Sequence, residues 1–278
     1  NLDGNMSNLS PDQLPQGWSN IASVYERAFE KLTSQFSKEA LRQLELKPGE
    51  RVLDVAAGTG SFSLAAARAG GDVLATDFAP GMIDRLRERI DLEGLDNIKA
   101  EVMDGQNLDC EDASYDVTAS VVGVIFFPDI AKGLSELKRV LKPEGRCAVV
   151  CWGDMEKFEM MAYLKKAIQT AVPEFEMPTQ TPVWARLLGH EQLEQMMKSA
   201  GFKNIKVTNM IGKLEIESPQ AFWNDFTSSA PPLAKLFEAL GEENTRKTGE
   251  AFTELVKSNC KQGVPCLTSE ACIAIGEA

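Results

Sequence analysis

One histidine, three tyrosines and no C-x-x-C pair in 278 residues leave few groups for metal or imidazole chemistry. The lone His190 stands before Glu191-Gln192-Leu193-Glu194 at the start of a helical stretch, a place for a surface or capping residue. No metal site is expected from it, and none from the six cysteines, which lack zinc spacing. Cys147 and Cys151 would share one face of a strand as small core residues, Cys110 falls in a loop, and Cys260, Cys266 and Cys272 lie near the end. This usage fits a reducing, cytoplasmic setting. No apolar run is long enough to cross a bilayer, and no basic-then-apolar leader opens at Asn1, where a removed or trimmed segment stays open. Basic residues are also short: 29 against 41 acidic ones, a net charge of −12. That balance argues against a nucleic-acid partner, whose phosphates need a positive surface. Internal repeats and low-complexity tracts are absent as well.

The chain is organised around Arg51-Val52-Leu53-Asp54-Val55-Ala56-Ala57-Gly58-Thr59-Gly60. Arg51–Val55 reads as a short buried strand, and Ser61–Ala69 is a helix-forming run with Phe62, Leu64, Ala65 and Ala66. Strand, glycine turn and helix open a doubly wound α/β fold, which takes its ligand at the carboxyl ends of the strands. A dinucleotide loop needs G-x-G-x-x-G, and here Ser63 occupies the third glycine position. In its place an acid, Asp54, stands at the strand end. The run D-V-A-A-G-T-G resembles the first motif of class I S-adenosylmethionine-dependent methyltransferases. Such a donor brings a sulfonium and an ammonium and no phosphate, so an extra carboxylate is useful there. The ligand would meet bare backbone at Ala56, Gly58 and Gly60.

Val73–Thr76 reads as the second strand, closed by Asp77. A carboxylate at that tip can accept from both hydroxyls of a ribose, one per oxygen, in charge-assisted hydrogen bonds. A nicotinamide enzyme places an acid similarly, and a helix cap is the plain alternative. Phe78 and Met82 suit packing on an adenine ring. Asn97–Met103 is the third strand, followed by Asp104-Gly105-Gln106. The methyltransferase resemblance implies that Asp104 accepts from the adenine amine, with Gly105 giving room and it or Gln106 donating from the backbone. The plain alternative is a D-G turn.

Ser114–Val122 is the fourth strand, and its end, at Val121, would pass beside the amino-acid part of the donor. Gly123–Asp129 is similar to the G-L-M-F-F-P-D stretch of small-molecule methyltransferases. The N-P-P-Y and D-P-P-Y motifs of base and glutamine N-methyltransferases are missing. Leu141–Arg146, L-K-P-E-G-R, resembles the family's L-K-P-G-G-R turn, with Glu144 replacing its first glycine. The family's leading helical segment lies over the donor, with a W-x-x-x-A-x-x-Y-like pattern that Trp18, Ala22 and Tyr25 match. Tyr25 is the candidate contact, and a packing role its alternative.

The resemblance covers residues 16–152 well and the remainder in layout. It implies a doubly wound, seven-stranded Rossmann-like sheet with an antiparallel last strand and helical cap insertions. The expected division is a loose tail over 1–15 and a single domain over 16–278. Within that domain the lid spans 16–46, one helix carrying Ile21, Val24, Tyr25, Ala28 and Phe29 at helical spacing and a second carrying Phe36, Leu41 and Leu44; the donor-binding core spans 47–152, and the caps 153–189 and 217–262. S-adenosyl-L-methionine is the implied cofactor, and a small-molecule acceptor the implied partner. Catalysis would be in-line methyl transfer with no catalytic residue marked. A donor-binding regulatory protein and, more remotely, a nicotinamide oxidoreductase are the alternatives. Met and aromatic stripes in the caps read as packing and yield no acceptor residue.

Overall fold

The computed structural model describes residues 9–177, 189–259 and 263–278. Its centre is a seven-stranded sheet in the order β3-β2-β1-β4-β5-β7-β6. β1 (Arg51–Val55), β2 (Asp72–Asp77), β3 (Ile98–Val102), β4 (Tyr115–Val121) and β5 (Leu141–Trp152) run parallel. β7 (Cys266–Glu277) is antiparallel to both β5 and β6 (Lys203–Glu215), between which it inserts. The expected antiparallel last strand is therefore present. In β1, Val52 to Val55 are buried in succession, as befits a strand covered on both faces.

The chain leaves β1 to build β2 and β3 on one side, then returns to place β4 on the other. This reversal opens a crevice between the carboxyl ends of β1 and β4. The helices α3 (Ser61–Arg68), α4 (Pro80–Glu93) and α5 (Ile130–Arg139) connect the parallel strands. α5 shows how locally consistent the sequence is. Asp129 caps it by accepting from the Lys132 amide at 3.0 Å, Lys138 and Arg139 close its last turn, and Leu134 and Leu137 are fully buried.

Two expectations for the leading segment need correction. Residues 16–46 hold one short helix, α1 (Pro15–Ser19), and one long one, α2 (Ala22–Leu44), with no break near Phe36. The polar run Thr33-Ser34-Gln35 looks like a loop in sequence, but its side chains bond back onto the same helix. Thr33 Oγ1 donates to the Phe29 carbonyl, and Ser34 and Gln35 donate to that of Lys31. The loose tail is also corrected where it is described, over 9–15. Gln13 Oε1 accepts from the amide and hydroxyl of Ser10, Asp12 is buried, and the Asp12 carbonyl accepts from Trp18 Nε1 at 2.9 Å. Gly17 has to be glycine here, since a Cβ would come within 2.5 Å of the Pro11 oxygen.

The cap helices α6 (Glu159–Ala171), α8 (Pro219–Phe226), α9 (Pro231–Leu240) and α10 (Glu242–Ser258) pack on one another, with α10 touching the other three. Trp223, Phe226, Phe237 and Phe252 form their aromatic core. The remaining helix, α7 (His190–Ser199), leads into β6, and His190 at its start is exposed beside Asn209 and Glu194. Cys147, Cys151 and Cys272 are buried, and Cys260 lies outside the described residues.

Candidate functional site

A cavity of about 480 Å³ opens over the carboxyl ends of β1, β2, β3 and β4. Of the residues singled out in sequence, Tyr25, Asp54, Ala56, Gly58, Asp77, Phe78, Met82, Asp104, Gly105, Gln106 and Val121 all line it. Gly60 stands outside that lining. Its φ is +95°, and a Cβ would lie 2.2 Å from Leu86 Cδ1, so this glycine serves the packing of the turn on α4. Gly58 differs: its φ is +55° and a Cβ there would meet nothing within 4 Å, because it would point into open space. Gly105 lines the cavity too, but a Cβ would strike the Phe127 ring and Val55.

Three acids occupy three strand ends in unlike settings. Asp54 is 1% exposed; its Oδ2 accepts from Ser63 Oγ, while Oδ1 is buried without a hydrogen-bond partner. Burial pushes its carboxyl up to about 7, with nearby Asp77 adding to the rise and the Ser63 hydroxyl opposing it. Asp77 holds the loop together, Oδ2 accepting from the Gly58 amide and Oδ1 from the Ala79 amide, both at 2.9 Å. Burial lifts its carboxyl to about 6 against those two bonds. Each oxygen keeps a second lone pair for another donor. Asp104 is exposed at the rim, where its Oδ1 accepts from the Gln106 amide at 2.9 Å. Gln106 Oε1 in turn accepts from the Asp129 amide at 2.8 Å.

Backbone strain gathers at the floor. Ala56, just past β1, has φ +57°, and Val122, just past β4, has φ +53°. A β-branched residue in the left-handed region is an outlier of the kind that concentrates at functional sites. Gly123 completes the junction, since a Cβ there would come 2.5 Å from that of Ala56.

The roof is α1 and α2 with the preceding segment. Leu9, Gln13, Pro15, Trp18, Tyr25, Thr33 and Ser37 face the cavity. Two bidentate ion pairs hold α2 to α4, Arg85 to Glu26 and Arg89 to Glu30, each pair within 3.0 Å. Ser37 and Ser61 hydroxyls meet at 2.7 Å, fixing α2 to the first turn of α3. The Tyr25 hydroxyl is held protonated well above its usual range, mainly by burial and then by the charges of Glu30 and Asp77. Its ring stands edge-on to Trp18 at 5.8 Å, and Trp18 in turn edges Phe126 at 4.9 Å.

Sequence reading missed several lining residues. Gln13 had a visible signal, the S-x-x-Q pattern of a capping box from Ser10. Phe126 and Phe127 sat inside a recognised motif without being assigned. The strain at Val122 had no signal, because a valine after a strand looks like more strand. Among the described residues no cluster of His, Cys, Asp and Glu could hold a metal ion.

Comparison with known proteins supplies context for this geometry. Residues 52–145 match a family described as a methyltransferase domain. An uncharacterised protein of Mycobacterium tuberculosis is 30% identical over 213 residues, which is 76% of this chain and 74% of that protein. A demethylmenaquinone methyltransferase of Staphylococcus aureus is 27% identical over 222 residues, covering 72% of this chain and 89% of the relative. Among solved structures, a putative methyltransferase from an antibiotic biosynthesis pathway of Anabaena variabilis aligns with a TM-score of 0.61. It is 13% identical, with 86% of this chain and 96% of that one covered. A putative methyltransferase of Bacillus halodurans aligns at 0.57 with 17% identity, covering 87% and 97%. At such identities these structures speak for the fold alone.

Proposed function

The chain belongs to the class I S-adenosylmethionine-dependent methyltransferases, those of the quinone-biosynthesis type, and from that premise we propose that it methylates a small-molecule acceptor. The observation that carries this reading is Asp54, a residue of the cavity lining whose buried Oδ1 has no hydrogen-bond partner. A buried carboxylate oxygen without a partner costs roughly 1–3 kcal/mol, more when charged, unless a ligand completes it. S-adenosyl-L-methionine fits the donor set. Its ammonium and sulfonium would offset the Asp54 charge, and its ribose hydroxyls would reach the free lone pairs of Asp77. Its adenine would lie by Phe78 and Met82, with the amine toward Asp104. Open space before Gly58 leaves the backbone free for close approach.

The bound donor supplies a methyl group already activated by a positive sulfur. The protein therefore has to orient and to exclude water. Orientation of two reactants can contribute roughly 7–11 kcal/mol to a rate. The ion-paired roof suits that task, since Glu26–Arg85 and Glu30–Arg89 lock α2 onto α4. On this reading residues 47–152 hold the donor, the helices before them cover it, and the cap helices shape the acceptor side. Calorimetry with S-adenosylmethionine and with NADH tests the donor assignment. Binding of the first in the micromolar range and none of the second is expected, and the reverse would overturn the reading. Release of S-adenosylhomocysteine in the presence of an acceptor tests transfer.

A further inference from the structure

A second chamber, of about 70 Å³, abuts the first. The two share Trp18, Tyr25, Val122 and Phe126 in their walls. Beyond those residues it is lined by Trp152, by Phe158, Met160 and Met161 at the start of the cap, and by Phe226 and Leu233. Among the described residues its lining includes no carboxylate, imidazole, ammonium, guanidinium or thiol. The one titratable group among its described lining residues, the Tyr25 phenol, is beside Glu30, Asp77 and Thr33 of the donor side and stays protonated. Trp18 Nε1 is already committed to the Asp12 carbonyl.

Resting on the methyl-transfer reading, we infer that the acceptor is a small, apolar thiol that brings its own ionised sulfur and needs no protein base. Three features of the chamber converge on this. An alcohol or amine entering it would give up hydrogen bonds to water and find none in return, whereas a thiolate spreads its charge over one large polarizable sulfur, and the donor's sulfonium next to it offsets the cost of taking that charge from water. Aromatic rings and two thioethers make a polarizable wall that sulfur contacts favourably. The charge balance matters most. A thiolate attacking the methyl of a sulfonium forms one C–S bond and breaks another, and the bond pair returns to the donor sulfur. One negative and one positive charge become two neutral thioethers. An apolar surround favours a step that destroys charge, and the thiol proton has already gone to solvent. With no base among the described residues of the lining, hydroxyls that ionise only at high pH are left mostly unreactive.

The test uses the full chain, with donor binding first established by calorimetry. Thiophenol, phenol and 4-mercaptobenzoate share one ring shape and differ in acidity and charge. S-adenosylhomocysteine release is expected with thiophenol, at least a hundredfold slower with phenol at pH 7, and at least tenfold weaker in kcat/KM with the carboxylate. At saturating donor throughout, kcat/KM for thiophenol and a less acidic thiol, benzyl mercaptan, should rise with pH to a plateau set by each thiol's own pKa. Met161→Trp, which fills the chamber, should weaken thiophenol binding at least tenfold, read by tryptophan quenching, with donor affinity within twofold. A pH profile fixed at one value for both thiols would overturn the inference. So would equal turnover of phenol, acceptance of the carboxylate, or no turnover of any thiol by donor-loaded protein. Failure of the donor to bind would instead refute the methyl-transfer reading beneath it.

Discussion

Replacing Asp54 by asparagine should make the ligand-free protein more stable and the donor complex weaker. In the folded chain, burial raises this carboxyl to about 7 from its ordinary 3.8. A folded-state pKa above the unfolded one means that the native state prefers the protonated form. The associated stability is fully present below the unfolded value and is lost as pH rises through about 7. At pH 7.5 the loss has a ceiling of about 4 kcal/mol by linkage. Asparagine stays neutral at every pH and can keep the Ser63 contact. Half that ceiling, about 2 kcal/mol, corresponds to a rise in Tm of roughly 4–8 °C at pH 7.5. Near pH 4 the two proteins should melt together. Donor affinity should move the other way. Loss of a charge-assisted partner costs roughly 1.5–3 kcal/mol, or about 10- to 150-fold in Kd. If the donor requires ionised Asp54, wild-type Kd should also weaken about 30-fold between pH 8 and pH 5.5 through this group. The variant should keep only the roughly fourfold change due to Asp77. Thermal melts across pH 4–8 and calorimetry at both ends read all of this. A variant that melts lower at pH 7.5 and binds the donor as well as wild type would refute the reasoning.

The two loop glycines should separate by assay. Gly58→Ala sets a methyl in the open cavity, so donor affinity should fall at least tenfold with about 1 kcal/mol lost in stability from the left-handed φ. Gly60→Ala meets buried Leu86 and should cost about 2–3 kcal/mol in a denaturant melt, chiefly as stability. Asp77→Ala should weaken the donor at least tenfold by calorimetry; unchanged affinity in a folded variant would count against the ribose role. Glu144 is exposed with φ +66°, so Glu144→Gly should stabilise the chain by about 1 kcal/mol in urea titration.

The parallel half of the sheet and its acid-tipped strands were readable because each rests on local chemistry. An apolar run, a carboxylate and a glycine fall within a few residues at Asp54, Asp77 and Asp104, and strand order then brings the three together. The roof was read less well. Residues 9–15 carry too little apolar surface to look ordered, and they are held by the Ser10–Gln13 bonds and by the Asp12 carbonyl that Trp18 reaches across six residues. The length of α2 was hidden by Thr33, Ser34 and Gln35, whose back-bonding a periodicity count treats as a break. Glu144 is the reverse case. Its place in a glycine-preferring turn was marked in sequence, and the structure gives it the left-handed backbone that glycine would accept freely. The second chamber was out of reach, because its walls come from α1, α2, β5, α6, α8 and α9, whose meeting is a property of the whole fold.

A crystal structure with S-adenosylhomocysteine tests the central claim most directly. The account predicts a ribose within about 3 Å of the Asp77 oxygens, an ammonium facing Asp54 Oδ1, and a sulfur turned toward the wall shared by Trp18, Tyr25 and Phe126. A nucleoside bound elsewhere, or strand tips that stay closed to it at saturating concentration, would contradict it.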